Sequence, residues 1–264
     1  QGKVLQPDVF LCGDVKLVLE QLLPMVTRLD SSDWVKTVQT WKKRYPLTYP
    51  KQGGLRMQHV IHTLCELTKG KAILNVDVGQ HQMWAAQFFR ANYPRQLHNS
   101  GGAGTMGFGF PSSIGASFGN TTGWPVCCIA GDGGFQMTLS ELATAAIHKL
   151  PIKIFVLDNK YLGMVRQWQD MFYDKRYSSV DLVGNPDFVK LAEAYGIPGL
   201  RLKRSADAER MIQKALDYND GPILIHCECE KEDNVFPMIP AGAPITSMIT
   251  ETPKTKLEKP TGST

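Results

Sequence analysis

Short apolar runs alternate with longer amphipathic segments over most of the chain, from about residue 55 to residue 228. Apolar runs of about four to eight residues bounded by turn residues are typical of buried strands, whereas apolar positions three and four apart are typical of helices. The pattern predicts strands at 72–77, 126–130, 152–157, 200–202 and 222–227, and helices at 57–67, 111–118, 138–149, 186–195 and 205–218. Such alternation predicts an α/β fold, with a doubly wound, mostly parallel sheet and helices on both of its faces.

The segments on either side of this alternation are less regular. Residues 1–54 are interrupted by prolines and end in a glycine-containing linker, and they predict a strand end at 13–15 and two helical pieces, the second at 34–41. We therefore divide the chain into segments 1–54, 55–230 and 231–264. The last segment carries several prolines and ends in a Lys- and Thr-rich tail, a composition that predicts disorder.

Polar residues follow two of the predicted strands. The strand at 126–130 leads into a Gly-Asp-Gly triplet, and the strand at 152–157 into an Asp-Asn pair. Because open α/β sheets bind ligands at the carboxyl ends of their strands, we expect Asp132 and Asn159 to lie together at that edge. A carboxylate and an amide oxygen, without Cys or His, suit Mg²⁺ that keeps phosphate oxygens as further ligands. The sequence thus predicts a metal-bridged diphosphate site.

The residues after the triplet indicate how phosphate would be held. Gly133 and Gly134 let the backbone approach a phosphate and offer amide donors beside the start of a helix. Thr138 and Glu141 have the spacing of a capping box, which predicts Thr138 as the N-cap of that helix. An ordinary α/β turn containing glycines and an acidic residue is the alternative that this region alone leaves open.

Three further motifs narrow the interpretation. They are GQHQMWAAQ at 79–87, SGGAGTMGFG at 100–109 and LGMVRQWQ at 162–169. With the triplet and the asparagine, they resemble the catalytic subunit of acetohydroxyacid synthase (acetolactate synthase), a thiamine-diphosphate enzyme, over residues 41 to about 249. A different thiamine-dependent enzyme with the same core motifs is the alternative.

The resemblance implies thiamine diphosphate and Mg²⁺ as cofactors, with FAD in the complete enzyme. Gln80 and His81 would donate hydrogen bonds to the diphosphate. Gly104 would accept one from the aminopyrimidine through its carbonyl, and Met106 would support the bent cofactor, with ordinary core filling as its alternative. The metal ligands would be Asp132, Asn159 and the main-chain carbonyl of Tyr161. The cofactor-binding set would be Gly79, Gln80, His81, Gly104, Met106, Asp132, Gly133, Gly134, Asn159, Tyr161, Leu162, Gly163 and Met164.

The resemblance also implies a reaction. It is the condensation of pyruvate with a second pyruvate or with 2-oxobutyrate, giving acetohydroxy acids for branched-chain amino acid biosynthesis. Met164 and Trp168 would line the pocket for the second 2-oxo acid. One methylene in an apolar pocket is worth about 1–3 kcal/mol, enough for Trp168 to set a preference for 2-oxobutyrate. Inward packing on an amphipathic helix is the alternative for this tryptophan.

The resemblance implies that catalysis needs more than this sequence. In that family a glutamate on a separate pyrimidine-binding domain activates the cofactor, and no residue here matches it. We therefore expect no catalytic residue in this chain and an inactive isolated chain. Residues 1–54 resemble the end of the family's FAD-associated middle domain and 231–264 its C-terminal arm, so the sequence resembles a C-terminal portion.

The resemblance implies these partners: pyruvate, 2-oxobutyrate, the pyrimidine-binding domain, further copies in a homodimer or tetramer, and a regulatory subunit. Two alternatives stay open. The chain could be the diphosphate-binding subunit of a split thiamine-dependent 2-oxo acid decarboxylase, or a catalytically idle cofactor-binding module.

Composition adds limits on partners and compartment. The net charge of +4 is mild and the Lys and Arg residues are scattered, which argues against nucleic acid. No apolar stretch is long enough to span a bilayer, so we expect no membrane partner. The six cysteines lack zinc or redox spacing, and four of them fall at predicted strands as Cys127-Cys128 and Cys227-x-Cys229. Reduced core thiols are expected, which indicates the cytoplasm, or a plastid or mitochondrion in a eukaryote.

Overall fold

The computed structural model describes residue 2 and residues 5–251. The chain divides into two compact units, residues 1–48 and residues 49–264. This division lies close to the predicted boundary after residue 54. The tail predicted to be disordered lies outside the described residues from residue 252 onward.

The first unit contains two helices, α1 (Val15–Leu22) and α2 (Ser32–Arg44). Asp14 caps α1 by accepting hydrogen bonds from the amides of Lys16 and Leu17, at 3.0 and 3.2 Å. The strand end expected at 13–15 is absent, because the chain there forms this helix start instead. Neither helix fully buries a side chain, so the unit has no closed core of its own among its described residues.

The second unit is built on a six-stranded sheet in which every pairing is parallel and the strand order is β2-β1-β3-β4-β6-β5. The strands are β1 (Ile73–Val76), β2 (Leu97–Asn99), β3 (Val126–Gly131), β4 (Ile152–Asp158), β5 (Gly199–Leu202) and β6 (Ile223–Glu228). The short edge strand β2 was not predicted, since its three residues carry no apolar run. From β1 the chain passes first to one side and then to the other, so the strand order reverses between β1 and β3.

Helices cover both faces of this sheet, which confirms the predicted fold class. The helices are α3 (Met57–Thr68), α4 (Gln80–Phe88), α5 (Gly109–Gly119), α6 (Asp132–Met137), α7 (Leu142–Ile147), α8 (Gly163–Phe172), α9 (Phe188–Ala194) and α10 (Ala208–Asp217). One buried cluster joins α3, α4 and α10 to alternate residues of the strands. A second joins α5, α6, α7 and α9 to the intervening residues, as the alternation of side chains across a strand requires.

Strand β4 lies near the middle of the sheet and all of its residues are buried. Parallel strands covered on both faces read as continuous apolar runs, which is why this strand was predicted well. Lys153 is the charged residue within the predicted run 152–157. Its Nζ donates to the carbonyl of Tyr218 and to Oδ1 of Asn219, so the buried ammonium is paired at the end of α10. Burial lowers the pKa of Lys153.

The side-chain caps expected after the triplet and after β5 do not form. A helix already begins at Asp132. Thr138 is the N-cap position of the 3-10 turn Leu139–Glu141 that leads into α7, as predicted, but its Oγ1 donates to the carbonyl of Gly107 at 3.1 Å instead of capping. Glu141 accepts instead from Thr144 Oγ1. Ser205 begins a 3-10 turn rather than capping α10.

The start of α9 lies two residues after the position where it was expected. Asp187 is the N-cap and accepts from the amides of Val189 and Lys190, so Pro186 precedes the helix instead of opening it. The cysteines are free thiols, and those in β3 and β6 are fully buried. No helix among the described residues is long and apolar enough to cross a membrane.

Candidate cofactor site

A cavity of about 320 Å³ lies where β1, β3 and β4 end. It adjoins the point between β1 and β3 at which the strand order reverses, the usual ligand-binding crevice of open α/β sheets. Its lining includes every residue predicted to bind the cofactor: Gly79, Gln80, His81, Gly104, Met106, Asp132, Gly133, Gly134, Asn159, Tyr161, Leu162, Gly163 and Met164. The fold therefore brings together residues that are far apart in the sequence.

The imidazole of His81 joins two strand ends. Its Nε2 accepts a hydrogen bond from the amide of Gly131 at 3.3 Å. A Cβ at Gly79 or at Gly131 would lie 2.9 Å from the ring, so both positions need glycine to admit it. Burial lowers the pKa of His81 to about 4, although the carboxylate of Asp77 opposes this shift, and the ring is therefore neutral at pH 7.

Asp77 organises the loop that carries Gly104 and Met106. Its carboxylate accepts from the amide of Gly107 at 3.0 Å and from that of Gly109 at 2.8 Å. A Cβ at Gly134 would press against the same carboxylate. Sequence reasoning missed this role, although Asp77 ends a predicted strand at the edge of the sheet where ligands bind.

The two side chains predicted to bind metal come from adjacent strands. Gly131 pairs with Leu157 across β3 and β4, so Asp132 and Asn159 follow at neighbouring points of the sheet edge. The amide of Tyr161 donates to Asn159 Oδ1 at 3.2 Å, and Lys160 between them has a left-handed φ of 58°. These contacts hold residues 159–161 in a tight turn against the cavity.

The predicted metal ligand Asp132 is strongly buried, with 1% of its surface exposed. Burial, reinforced by the negative charge of Asp158, raises its pKa to about 8, whereas a hydrogen bond from Asn185 acts in the opposite direction. Burial alone would also raise the pKa of Asp158, but hydrogen bonds led by that from His226 Nε2, at 2.8 Å, bring it below its usual value. A cation bound at Asp132 would relieve the cost of burying this carboxylate.

Comparison with known proteins decides the family. The sequence model for the C-terminal TPP binding domain of thiamine pyrophosphate enzymes matches residues 77–227, a range that contains strands β2 to β5, most of β6 and every residue predicted to bind the cofactor. The chain belongs to the thiamine pyrophosphate enzymes.

Curated relatives of the chain agree with the resemblance seen in the motifs. The chain is 44% identical over 253 residues to acetolactate synthase large subunit IlvB1 of Mycobacterium tuberculosis, covering 91% of the chain and 41% of the relative. It is 41% identical over 257 residues to the acetolactate synthase large subunit of Cyanidium caldarium (94% and 43%) and 41% identical over 265 residues to the chloroplastic acetolactate synthase of Arabidopsis thaliana (95% and 39%). The chain thus spans about two fifths of the length of these relatives.

The predicted ligand atoms of the chain fit a hard cation bound to a diphosphate. The predicted ligands are one carboxylate, one amide oxygen and one main-chain carbonyl, all from residues that line the cavity. Within the described residues, no group of three or more His, Cys, Asp or Glu side chains could hold a metal. Phosphate oxygens of the cofactor and water would complete the coordination shell.

The side chain of Gln80 faces the cavity differently from what was expected. Its Nε2 donates to Gln167 Oε1 and to the carbonyl of Asp233, both at 2.8 Å. Gln167 is itself fixed by two hydrogen bonds with the backbone of Val235, so this orientation of Gln80 is determined by its partners. Its buried Oε1 has no hydrogen-bond partner. Both hydrogens of Gln80 Nε2 and the acceptor Nε2 of His81 are thus engaged within the protein, and donation from these two side chains to the diphosphate stays a prediction.

The segment 232–238 is held along the cavity residues by side chains of other elements. Besides Gln80 and Gln167, the contacts are Arg56 with Asp233, Gln87 with the carbonyl of Phe236, Arg166 with Glu232 and Asp170 with Asn234. Sequence reasoning described this segment only as an arm. Its partners lie between 64 and 177 residues away in the chain, which no local motif reveals.

Trp168 lines a second cavity, of about 670 Å³, and not the first. Met164 and Val165 line both cavities, so the two adjoin along the first turns of α8. The indole packs against Phe172, with ring centroids 5.2 Å apart, and Gln169, Tyr173 and Arg176 complete the lining. Of the predicted substrate residues, Met164 thus lies at the border and lines both cavities, whereas Trp168 lies beside the predicted cofactor site.

Proposed function

We propose that this chain is the diphosphate- and metal-binding part of an acetohydroxyacid synthase. The proposed reaction joins pyruvate to a second pyruvate or to 2-oxobutyrate. When bound, thiamine diphosphate supplies the electron sink that allows a 2-oxo acid to lose CO₂ and its remaining carbons to be transferred. The residues of the chain bind and orient the cofactor and border the pocket of the second 2-oxo acid.

The observation that carries the proposal is the placing of the two cavities. One adjoins the strand-order reversal and collects all the predicted cofactor residues, and the other contains Trp168 and shares Met164 with it. A cofactor site that opens directly beside an apolar wall is what a two-substrate condensation requires. The names of the relatives, all acetolactate synthases, support the same reaction.

The proposed roles follow the cavity lining. Asp132, Asn159 and the carbonyl of Tyr161 would hold Mg²⁺, and Gly104 with Met106 would receive the ring end of the cofactor. A pyrimidine-binding domain of the same enzyme would supply the activating carboxylate. Further copies of the complete enzyme would form a homodimer or tetramer. We assign no residue of this chain to FAD or to a regulatory subunit; both belong to the proposal for the complete enzyme.

A binding experiment comes first. Calorimetry of the full chain with thiamine diphosphate should show binding in MgCl₂ and a large loss of affinity in EDTA, because the cation links the buried carboxylate to the diphosphate. The chain is then mixed with a separately produced pyrimidine-binding domain and given pyruvate. Acetolactate formed only when both are present supports the proposal.

Other results of these two experiments would indicate a different function. Acetaldehyde without acetolactate indicates a split 2-oxo acid decarboxylase, and cofactor binding without any product indicates an idle module. No Mg²⁺-dependent binding of thiamine diphosphate would remove the basis for the site itself.

A further inference from the structure

Asn185 connects the two strand ends that carry the predicted cation ligands. It lies in the segment before α9, and its Nδ2 donates to Asp132 Oδ2 at 2.6 Å and to Asp158 Oδ1 at 3.1 Å. Asp132 follows β3 and Asp158 ends β4. One side-chain amide thus uses both of its hydrogens to bridge two carboxylates from neighbouring strands.

The orientation of this amide is fixed from its other side. Asn185 Oδ1 accepts from Gln136 Nε2 at 2.9 Å, and the same Nε2 also donates to the main-chain carbonyl of Asp132 at 3.1 Å. Turning the amide over would place its oxygen against two carboxylates and its nitrogen against a donor. The network therefore determines which atom faces Asp132.

The two carboxyl groups lie close together in a buried place. Only 1% of Asp132 and 4% of Asp158 is exposed, and the negative charge of Asp158 helps to raise the pKa of Asp132. Asp158 is held separately by His226 Nε2 at 2.8 Å and by the amide of Lys160 at 3.0 Å. Asp158 is thus an anchored point on the β4 side, and Asn185 links Asp132 to it.

We propose that Asn185 is a positioning residue of the cation site, holding the carboxylate of Asp132 at a fixed place relative to the turn that presents Asn159 and Tyr161. The inference rests on the proposed function, since it assumes that Asp132 binds the cation. Outer partners of metal ligands commonly affect metal affinity about 10- to 100-fold when removed. No sequence motif singled out Asn185, because its partners are 27 and 53 residues away.

The test uses the full chain with Mn²⁺ as the probe and saturating thiamine diphosphate. The variants are Asn185→Ala and Asn185→Leu, which keeps the bulk but cannot donate. The matched control is Asn234→Ala, which also removes a donor to an aspartate, here Asp170, away from Asp132. Electron paramagnetic resonance measures both the dissociation constant and the spectrum of bound Mn²⁺, and thermal unfolding in EDTA measures stability without metal.

We expect Mn²⁺ to bind both Asn185 variants at least about tenfold more weakly than wild type. The spectrum of bound Mn²⁺ should also change, whereas the unfolding midpoint in EDTA should move no further than in Asn234→Ala. Unchanged affinity and spectrum in both variants, with normal binding by wild type, would overturn the positioning role and leave the proposed function standing.

Two other outcomes also count against the inference. A loss of affinity matched by a midpoint far below that of the control, or failure of both variants to fold, would make Asn185 a structural tether of its loop. If wild type itself did not bind Mn²⁺ with thiamine diphosphate, the cation site would be wrong and this inference would fall with it.

Discussion

The two neighbouring cavities share Met164 and Val165 but are built in different ways. In the first, polar side chains are almost fully buried, with 1% of Asp132 and 3% of Gln80 exposed, and hydrogen bonds from distant elements fix them. The second is formed by one face of α8 and the turn after it, where 49% of Val165 is exposed. Buried polar groups need defined partners, whereas a surface wall can change its packing at little cost. Cofactor placement and substrate choice should therefore be separable by mutation.

The largest effect is expected at the first cavity. Asp132→Ala removes the only predicted carboxylate ligand, so thiamine diphosphate affinity in MgCl₂ should fall by at least about 100-fold, the upper range for lost outer-shell partners. Asp220→Ala, at an exposed aspartate, is the control and should bind as wild type does. Calorimetry measures both variants. Unchanged cofactor affinity in Asp132→Ala would contradict the assignment of the metal site.

Acid should lower the free energy of unfolding through His81, which lines the first cavity. The pKa of this buried ring falls from 6.5 to about 4 on folding, so the unfolded chain binds more protons between these pH values. The stability that His81 contributes is complete above pH 6.5 and is lost as the pH falls through this window, up to about 3 kcal/mol.

Asp132, whose pKa is raised to about 8, contributes stability in the opposite direction as the pH falls. Chemical denaturation from pH 7 to pH 4 therefore compares wild type with His81→Gln, which cannot titrate, and wild type should lose unfolding free energy relative to this variant across the window. A ring resonance of His81 that titrates near its ordinary value in the folded protein would contradict the prediction.

The hydrogen bonds between the first cavity and the segment 232–238 should contribute somewhat less to the unfolding free energy than the neutral His81 does. Gln167→Ala leaves the backbone amide and carbonyl of Val235 and one donor of Gln80 without their partner, and buried unpaired groups cost about 1–3 kcal/mol each before water or relaxation compensates. We expect a loss of about 2 kcal/mol in unfolding free energy.

Hydrogen exchange should locate that effect. The amide of Val235 should exchange faster in Gln167→Ala, while Gln213→Ala, which removes an exposed bond to Asp217, should leave it unchanged. Equal protection of Val235 in wild type and Gln167→Ala would show that the segment is held by its other contacts.

A smaller change should still perturb the first cavity because its packing is tight. A Cβ at Gly163 would lie 2.9 Å from Gln80 Cδ and 3.0 Å from Asn159 Nδ2. Gly163→Ala should therefore cost about 1–2 kcal/mol of stability by overpacking and reduce thiamine diphosphate affinity. In the control, Gly115→Ala in α5, the added Cβ meets no atom within 4 Å, so stability should hold or rise slightly. Equal cofactor affinity in both variants would mean that the site adapts more readily than the structure indicates.

The first cavity was predictable to the extent that its residues belong to continuous motifs. A buried strand followed by a triplet, and a second strand followed by an asparagine, placed Asp132 and Asn159 at one edge of the sheet, because parallel strands have their carboxyl ends at the same edge. The local cap at Thr138 failed because the hydroxyl bonds to Gly107, which is distant in sequence. Local signals cannot rank such competing partners.

The partners that fix the cavity were not predictable for the same reason. Asp77, Asn185 and Gln167 make their decisive bonds 30, 53 and 68 residues away. Each is an ordinary polar residue until the sheet forms and brings its partner close. Side chains that line a site can thus be found from motifs, whereas the side chains that orient them need the tertiary structure.

The second cavity should respond to mutation in the opposite way. Trp168 packs against Phe172 and lines a pocket of about 670 Å³, whereas the predicted metal ligands line the first cavity. Trp168→Leu removes much of an apolar wall without changing a buried hydrogen bond. Thiamine diphosphate affinity should therefore stay within about twofold of wild type, well under 1.4 kcal/mol, the value of a tenfold change.

The effect of Trp168→Leu should instead fall on the choice of the second 2-oxo acid. Pyruvate and 2-oxobutyrate differ by one methylene, whose contact with an apolar wall is worth about 1–3 kcal/mol, and leucine retains part of that contact. In the reconstituted enzyme with both acids present, the ratio of acetohydroxybutyrate to acetolactate should fall several-fold, while the total rate of pyruvate consumption changes little. Trp34→Leu, in the first unit, is the control and should leave the ratio unchanged.

If Trp168→Leu kept the wild-type ratio but lost stability, the indole would be a packing residue against Phe172, and the second cavity would have no part in substrate choice. If it lost cofactor affinity as well, the separation between a fixed cofactor site and an adaptable substrate wall would be wrong, because the two cavities would then respond as one.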